Sequence, residues 1–126
     1  MQHDYFTPVE ETRSFVEEVL NNDKAACFVA DEGGAILGFA AVFEKNTPDI
    51  ACLRQLSYAC LLDLCVLPDN RKQGIATRLI QAVKDWAKER RLHHVQLTVF
   101  EENQQAIKLY EQCSFQSAIR IMRLVL

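Results

Sequence analysis

Apolar residues recur along the chain with two periods, and each period predicts its own kind of element. In "TPVEETRSFVEEVLNN", Phe15, Val16, Val19 and Leu20 make one apolar stripe, which predicts a helix over 8–21. Thr7 stands at its N-cap, Pro8 at its first position and Glu10 three residues after Thr7, as a capping box requires. "ACFVADEGGAILGFAAVFEK" reads as two strands joined at Gly33-Gly34, a hairpin signal. "NTPDIACLRQL" reads as a loop. "YACLLDLCVL" is a nearly unbroken apolar run, as expected of a strand buried on both faces, and Pro68 ends it.

A helix is predicted from Gly74 to Leu92: Ile75, Leu79, Val83, Trp86 and Ala87 share one face, while Arg78, Gln81, Asp85 and Lys88 point away. "HHVQLTVF" alternates as a strand, with Val95, Leu97 and Val99 on one side. "NQQAIKLYEQC" reads as a short helix and "SAIRIMRLVL" as a closing strand. The predicted order is α-β-β-β-α-β-α-β, an α/β domain with no repeat or low-complexity segment.

Composition narrows the classes. With 126 residues, the chain has the size of a single domain able to bury a core without metal or disulfide support. No apolar run reaches membrane-spanning length. "MQHDYFTP" has no basic segment followed by an apolar stretch, so no secretory signal is expected. Cys27, Cys52, Cys60, Cys65 and Cys113 are odd in number and form no C-x-x-C pair, which favours free thiols over a disulfide framework or a zinc site. His3, His93 and His94 have no metal-ligand spacing, so no metal is expected.

Charge is unevenly divided. Residues 1–70 hold 4 Lys+Arg against 12 Asp+Glu, and residues 71–126 hold 10 against 5, for a net charge of −3. An acidic half and a basic half suit a cationic substrate and an anionic cofactor. Glu10, Glu11, Glu17 and Glu18 could equally form one solvated helix face. The net acidity argues against nucleic-acid binding.

The candidate chemistry centres on "NRKQGIATRL". A buried strand ends at Pro68, a short loop carries Arg71 and Lys72, and Gly74 opens a helix. Backbone N–H groups at a helix start lack intrahelical partners, and the macrodipole adds about half a positive charge there. Gly74 has no Cβ, so an anion can approach the backbone. Together these features describe a phosphate or pyrophosphate cradle. G-x-x-x-x-G-K-[ST] and G-x-G-x-x-G are both missing, which excludes the two commonest nucleotide cradles. The remaining pattern, Arg71, Gly74 and Ala76 as R-x-x-G-x-A, is weak by itself.

Its setting is specific. "LLDLCVLPDNRKQGIATRLI" followed by "ENQQAIKLYEQCSF" resembles the GNAT superfamily of N-acetyltransferases, well over residues 58–126 and more loosely over the hairpin at 25–45. In that family the R/Q-x-x-G-x-G/A turn holds the pyrophosphate of acetyl-coenzyme A, which implies contacts from Arg71, Lys72, Gln73, Gly74, Ile75, Ala76 and Thr77. The second signature, N-x-x-A-x-x-L-Y-x-x-x-G-F, falls on Asn103, Ala106, Leu109, Tyr110 and Phe115, with Ser114 where glycine is usual. The resemblance implies a mixed central sheet flanked by helices, here lacking the usual first strand and helix. It also implies that Leu64, Cys65 and Val66 line the cofactor through their backbone, that Asn103 and Ala106 lie beside its arm, and that Tyr110 protonates the departing thiolate.

Asp63, in the middle of an apolar strand, must face a polar cavity or a partner. It reads as a group that binds or deprotonates the acceptor amine, or as half of a structural ion pair. Tyr110 could instead be core packing, and Asn103 could simply cap its helix. Cys65 offers a covalent acetyl-enzyme, but no base is evident beside it. The expected function is acetyl transfer from acetyl-coenzyme A to a primary amine of a small molecule, in a cytoplasmic homodimer. A non-catalytic acyl-coenzyme A-binding module and a protein or peptide acetyltransferase are the alternatives.

Overall fold

A computed structural model of the chain describes residues 21–48, 51–52 and 54–126. The helix expected over 8–21 lies outside the described residues. The rest follows the predicted order up to the last element. Three antiparallel strands, β1 (Ala25–Glu32), β2 (Ala35–Asn46) and β3 (Ser57–Val66), lead through a 3-10 turn at Pro68–Asn70 into helix α1 (Ile75–Glu89). A short strand β4 (Val95–Gln96), parallel to β3, and helix α2 (Gln104–Gln112) follow. The sheet order is β1-β2-β3-β4, a mixed sheet with helices against it.

The β1–β2 hairpin turns at Gly33 (φ +61°) and Gly34 (φ +88°), a pair of left-handed conformations that glycine adopts without penalty. Asp31 Oδ1 accepts from the Gly34 N–H at 3.0 Å and ties the turn to the strand.

One face of the sheet carries the core. Ala40, Val42, Ala59, Leu61 and Leu64 meet Ile75, Leu79, Ile80, Val83 and Ala87 of α1, all of them buried. The expectation that β3 is buried on both faces needs one correction. Val42 pairs with Leu61 and Ala41 with Asp63, so Leu62 is an extra residue in a β-bulge, and it is 46% exposed. The bulge reverses the side-chain alternation. Leu61 and Leu64, three apart, share the core face, and Asp63 leaves it. Without the bulge, strict alternation would have put the carboxylate of Asp63 beside Leu61 under the helix.

The end of β3 depends on Gly38. A Cβ there would sit 2.6 Å from the Cys65 carbonyl oxygen and 3.2 Å from Val66 Cα, both backbone atoms that no rotamer change can move. Gly38→Ala is therefore expected to cost about 2–3 kcal/mol in chemical denaturation, at the upper end of overpacking. An unchanged midpoint would show that β2 and β3 do not approach so closely.

α1 stops at Glu89, short of the Leu92 expected from periodicity. Arg91 adopts φ +59°, and the N–H groups of Arg91 and Leu92 donate to the carbonyls of Lys88 and Ala87. This is a Schellman ending without its usual glycine, so no sequence signal marked it. Arg90 Nε pairs with Glu44 Oε1 at 2.9 Å and its guanidinium lies 4.9 Å above the Trp86 ring, which fixes the helix end to β2.

The expected closing strand does not form. Residues 116–126 are exposed throughout and join no strand among the described residues. The strand expected over "HHVQLTVF" shrinks to Val95–Gln96.

Candidate active site and its cofactor cradle

The cradle begins where β3 ends. Arg71 Nε donates to the Val66 carbonyl at 3.2 Å, so one predicted anion ligand also secures the strand end. Lys72 (φ +65°) and Gly74 (φ +79°) are both left-handed, and between them the chain reverses into α1. Gly74 is the N-cap. No side chain caps the helix, and no acidic residue stands in its first turn. A Cβ on Gly74 would meet nothing within 4 Å, so the space over its Cα is open.

Arg71, Lys72, Gln73, Gly74 and Thr77 are exposed at this end, with Arg78 on the next position. Ala76 is half-buried, and Ile75 turns its side chain into the core, leaving only its backbone for a ligand. These groups fit a pyrophosphate: free N–H donors, a dipole, cations at the rim and no competing carboxylate.

The strands beside the cradle part. β3 and β4 pair only at Ala59↔Val95 and Cys60↔Gln96, whereas β3 continues to Val66. Past Cys60, the β4 side of β3 therefore has no strand neighbour among the described residues. This side of β3 is open beside Leu64, Cys65 and Val66, with the Val66 carbonyl already accepting from Arg71 and the Leu64 N–H turned to Asp63. The gap opens toward the start of α1.

Asp63 lies across the sheet from Ala41 and, through it, from Cys27. Partial burial raises its pKa, against the opposing effect of a Leu64 backbone N–H. Among the described residues no lysine or arginine forms an ion pair with it. The alternative of an ion pair with a basic residue near the N-terminus falls outside the described residues. Burial, then the charge of Asp63, raises the Cys65 thiol, and the Cys27 thiol rises for the same two reasons in the same order. Cys65 is held as a thiol, which does not favour a covalent acetyl-enzyme.

Tyr110 is buried on α2, 8% exposed. Burial pushes its phenol up to about 12, with smaller contributions from the charges of Asp63 and Cys113. The helix around it explains the second signature in physical terms. Asn103 is the N-cap, its Oδ1 accepting from the Ala106 N–H at 3.2 Å. Ala106 is 2% exposed, so neither its side chain nor its N–H is free for a ligand. At the other end, the N–H groups of Ser114 and Phe115 donate to the carbonyls of Glu111 and Tyr110, a second Schellman ending. Ser114 is left-handed at φ +74°, which is why glycine suits that place. The Phe115 ring packs edge-on against Tyr110 at 5.8 Å between centroids, and so positions the phenol.

Two features of the site were missed in the sequence. Gly38 had a signal, a glycine inside an apolar strand. The Leu62 bulge had none.

Comparison with known proteins agrees with this geometry. The model of the Acetyltransferase (GNAT) family matches residues 1–115. The uncharacterized N-acetyltransferase YhfO of Bacillus subtilis is 28% identical over 82% of this chain and 66% of its own length. The aminoglycoside N(6')-acetyltransferase type 1 of Salmonella typhimurium is 27% identical over 84% of this chain and 72% of its own. The chain spans between 48% and 66% of the length of the first two curated relatives it matches. Among solved structures, aminoglycoside acetyltransferase AAC(6')-Iy bound to a coenzyme A bisubstrate analogue superposes with a TM-score of 0.82, at 24% identity, over 94% of this chain and 80% of that one. The chain thus belongs to the GNAT family of acetyltransferases.

Proposed function

We propose that the protein transfers the acetyl group of acetyl-coenzyme A to a primary amine of a small molecule, polyamine-, amino-acid- or drug-like, by direct attack in a ternary complex. The observation that carries this reading is the parting of β3 from β4 beside the uncapped start of α1. That gap gives an amide-bearing arm with a pyrophosphate a place to lie, and Asp63 and Tyr110 are within electrostatic range of each other next to it. Relatives named for aminoglycosides, which are polyamines, support a small-molecule acceptor.

Acetyl-coenzyme A supplies the activated acyl group; this chain's residues supply binding and proton transfer. Arg71, Lys72, Gln73 and the N–H groups from Gly74 to Thr77 hold the pyrophosphate. The backbone of Leu64, Cys65 and Val66 holds the arm, and an N–H there polarises the thioester carbonyl. Asn103, already engaged as a cap, has its amide NH2 to offer the arm.

An amine of pKa ~10.4 is neutral in only about one molecule in 2,500 at pH 7, a cost of about 4.6 kcal/mol. Asp63 relieves that charge, directly or through water. Its raised pKa makes it a better proton acceptor than a solvated aspartate. Once Asp63 is protonated, its charge no longer holds the Tyr110 phenol up. The two groups then act in sequence, with Tyr110 becoming the stronger acid when the thiolate departs.

Asp63→Asn separates this role from a structural one. A carboxyl whose folded pKa is raised contributes stability that is present below its unfolded value of 3.8 and lost as pH rises through the folded one. Above the folded value the ionised carboxylate carries the desolvation cost of its partial burial instead. The Asn variant is therefore expected to melt at the same temperature as wild type or higher, while amine-dependent turnover falls by about 10²-fold or more. Retained turnover with a lower melting temperature would identify Asp63 as a structural residue.

A further inference from the structure

Ahead of β4, two side chains meet that regular strand geometry would keep apart. Neighbouring residues of a strand point to opposite faces, so consecutive histidines read as unrelated in the sequence. His93 and His94 instead lie in the connection between α1 and β4, after the left-handed Arg91. There the two Nδ1 atoms stand 2.9 Å apart, with the ring planes at 87°. They lie beside the first residues of β3, where the His93 N–H donates to the Ser57 carbonyl and the His94 carbonyl accepts from the Ala59 N–H. The cofactor cradle is at the other end of β3, past Val66, and uses neither histidine.

The surroundings prepare His94 as a ligand. Its Nε2 lies 3.0 Å from Gln96 Oε1, an oxygen that can only accept. Nε2 therefore carries the proton, and Nδ1 keeps its lone pair toward His93. This is the arrangement that orients metal-bound histidines. The Tyr58 ring backs the imidazole, stacked at 5.0 Å between centroids and 5° between planes. His93 is exposed, so its Nδ1 proton can pass through water to Nε2, leaving a neutral ring with a second lone pair beside the first. Two nitrogens 2.9 Å apart subtend about 90° at an ion with bonds of about 2.0–2.1 Å. A tetrahedral ion would hold them about 3.3 Å apart. A right-angled pair of imidazoles suits tetragonal or octahedral ions, hence nickel(II) or copper(II) rather than zinc. Turning both lone pairs onto one ion takes about 45° at each ring, within the broad χ2 range of histidine.

We propose that His93 and His94 form a bidentate site for a divalent transition-metal ion of tetragonal preference, bound through both Nδ1 atoms, with Gln96 as the positioning residue. Among the described residues no group of three or more His, Cys, Asp or Glu side chains is placed to hold a metal, so water completes the coordination. The expectation of no metal rested on the spacing of the histidines along the sequence, and it is the bend ahead of β4 that brings their rings together. Both ligands belong to residues whose backbone opens the pairing of β4 with β3, so an ion there stiffens the start of β4 and stabilises the folded chain by mass action. This inference is independent of the proposed reaction and is tested without any activity measurement.

Nickel(II) is the probe, because copper(II) oxidises free thiols and the chain has five cysteines. All samples are the full chain carrying His3→Ala, which removes its one remaining histidine. Calorimetry should show one nickel bound per chain, and the ring signals of His93, His94 and Tyr58 should be the first to broaden in NMR spectra. His93→Ala and His94→Ala should each weaken binding by at least ~10-fold, because either leaves a single donor. Gln96→Leu should weaken it by about 10–100-fold, and Gln96→Glu should restore it, since a carboxylate also accepts from Nε2. Nickel should raise the melting temperature of the parent and leave that of His94→Ala unchanged. No nickel binding at about 1 mM metal would overturn the proposal. So would an affinity in His94→Ala within threefold of the parent, or broadening that begins away from these three rings. The broadening pattern is read with both histidines in place and decides the matter even if a variant fails to fold.

Discussion

Gly74→Asp is expected to weaken coenzyme A binding by at least 10²-fold without unfolding the protein. A Cβ at Gly74 meets nothing within 4 Å, so the fold has room for the side chain. The backbone there is left-handed at φ +79°, which costs most residues about 1–2 kcal/mol, and aspartate is among those that tolerate it best. The new carboxylate stands at an N-cap that no side chain occupies, where it can accept from the N–H groups of the first turn. Those are the groups assigned to the pyrophosphate. The substitution therefore fills the anion site with an anion carried by the chain itself. Losing two charge-assisted hydrogen bonds at about 1.5–3 kcal/mol each amounts to between 10² and 10⁴ in affinity. Calorimetric titration of the folded variant with coenzyme A measures this directly. A dissociation constant within threefold of wild type would remove the start of α1 from the binding site.

Tyr110→Phe is expected to lower the chemical rate by about 10²–10⁴ while leaving coenzyme A affinity nearly unchanged. The substitution removes one hydroxyl and keeps the ring that packs on Phe115. With its phenol pushed up to about 12, Tyr110 stays protonated at neutral pH and is always ready to donate. Donation to a free thiolate of pKa ~8.5 would run uphill by about 5 kcal/mol. Two features of the site narrow that gap. The burial that raises Tyr110 also raises nearby thiols, as it does Cys65 and Cys27, so a thiolate leaving there is more basic than in water. Protonation of Asp63 by the amine then removes one of the charges holding the phenol up. The rate loss should be smaller for a thioester with a more acidic thiol, which needs less help to leave. Normal turnover combined with a melting temperature several degrees lower would make Tyr110 a packing residue only.

What was legible in the sequence was local. The Gly33-Gly34 turn, the stripe of Ile75, Leu79 and Val83, and the run from Asn103 to Phe115 each encode their own geometry within a few residues, and each appears as read. The features that were not legible depend on residues far apart in the sequence. Nothing in "YACLLDLCVL" says that Leu62 is the residue to be extruded. That choice is made by pairing with β2, and it alone separates Asp63 from the helix-covered core. The α1 ending was overrun because Arg91 takes the left-handed position where glycine would have signalled a stop. "SAIRIMRLVL" has strand composition, but a strand needs an edge to join, and the segment joins none among the described residues.

The most direct test of the proposed chemistry is the release of free coenzyme A thiol from acetyl-coenzyme A across a panel of primary amines that includes polyamines, amino acids and an aminoglycoside. Thiol release that depends on the amine, rises with pH as the neutral amine fraction grows, and is lost in Tyr110→Phe is the predicted result. Tight coenzyme A binding at Arg71–Thr77 with no thiol released for any amine would contradict it, and would identify the chain as a binding module built on an acetyltransferase fold.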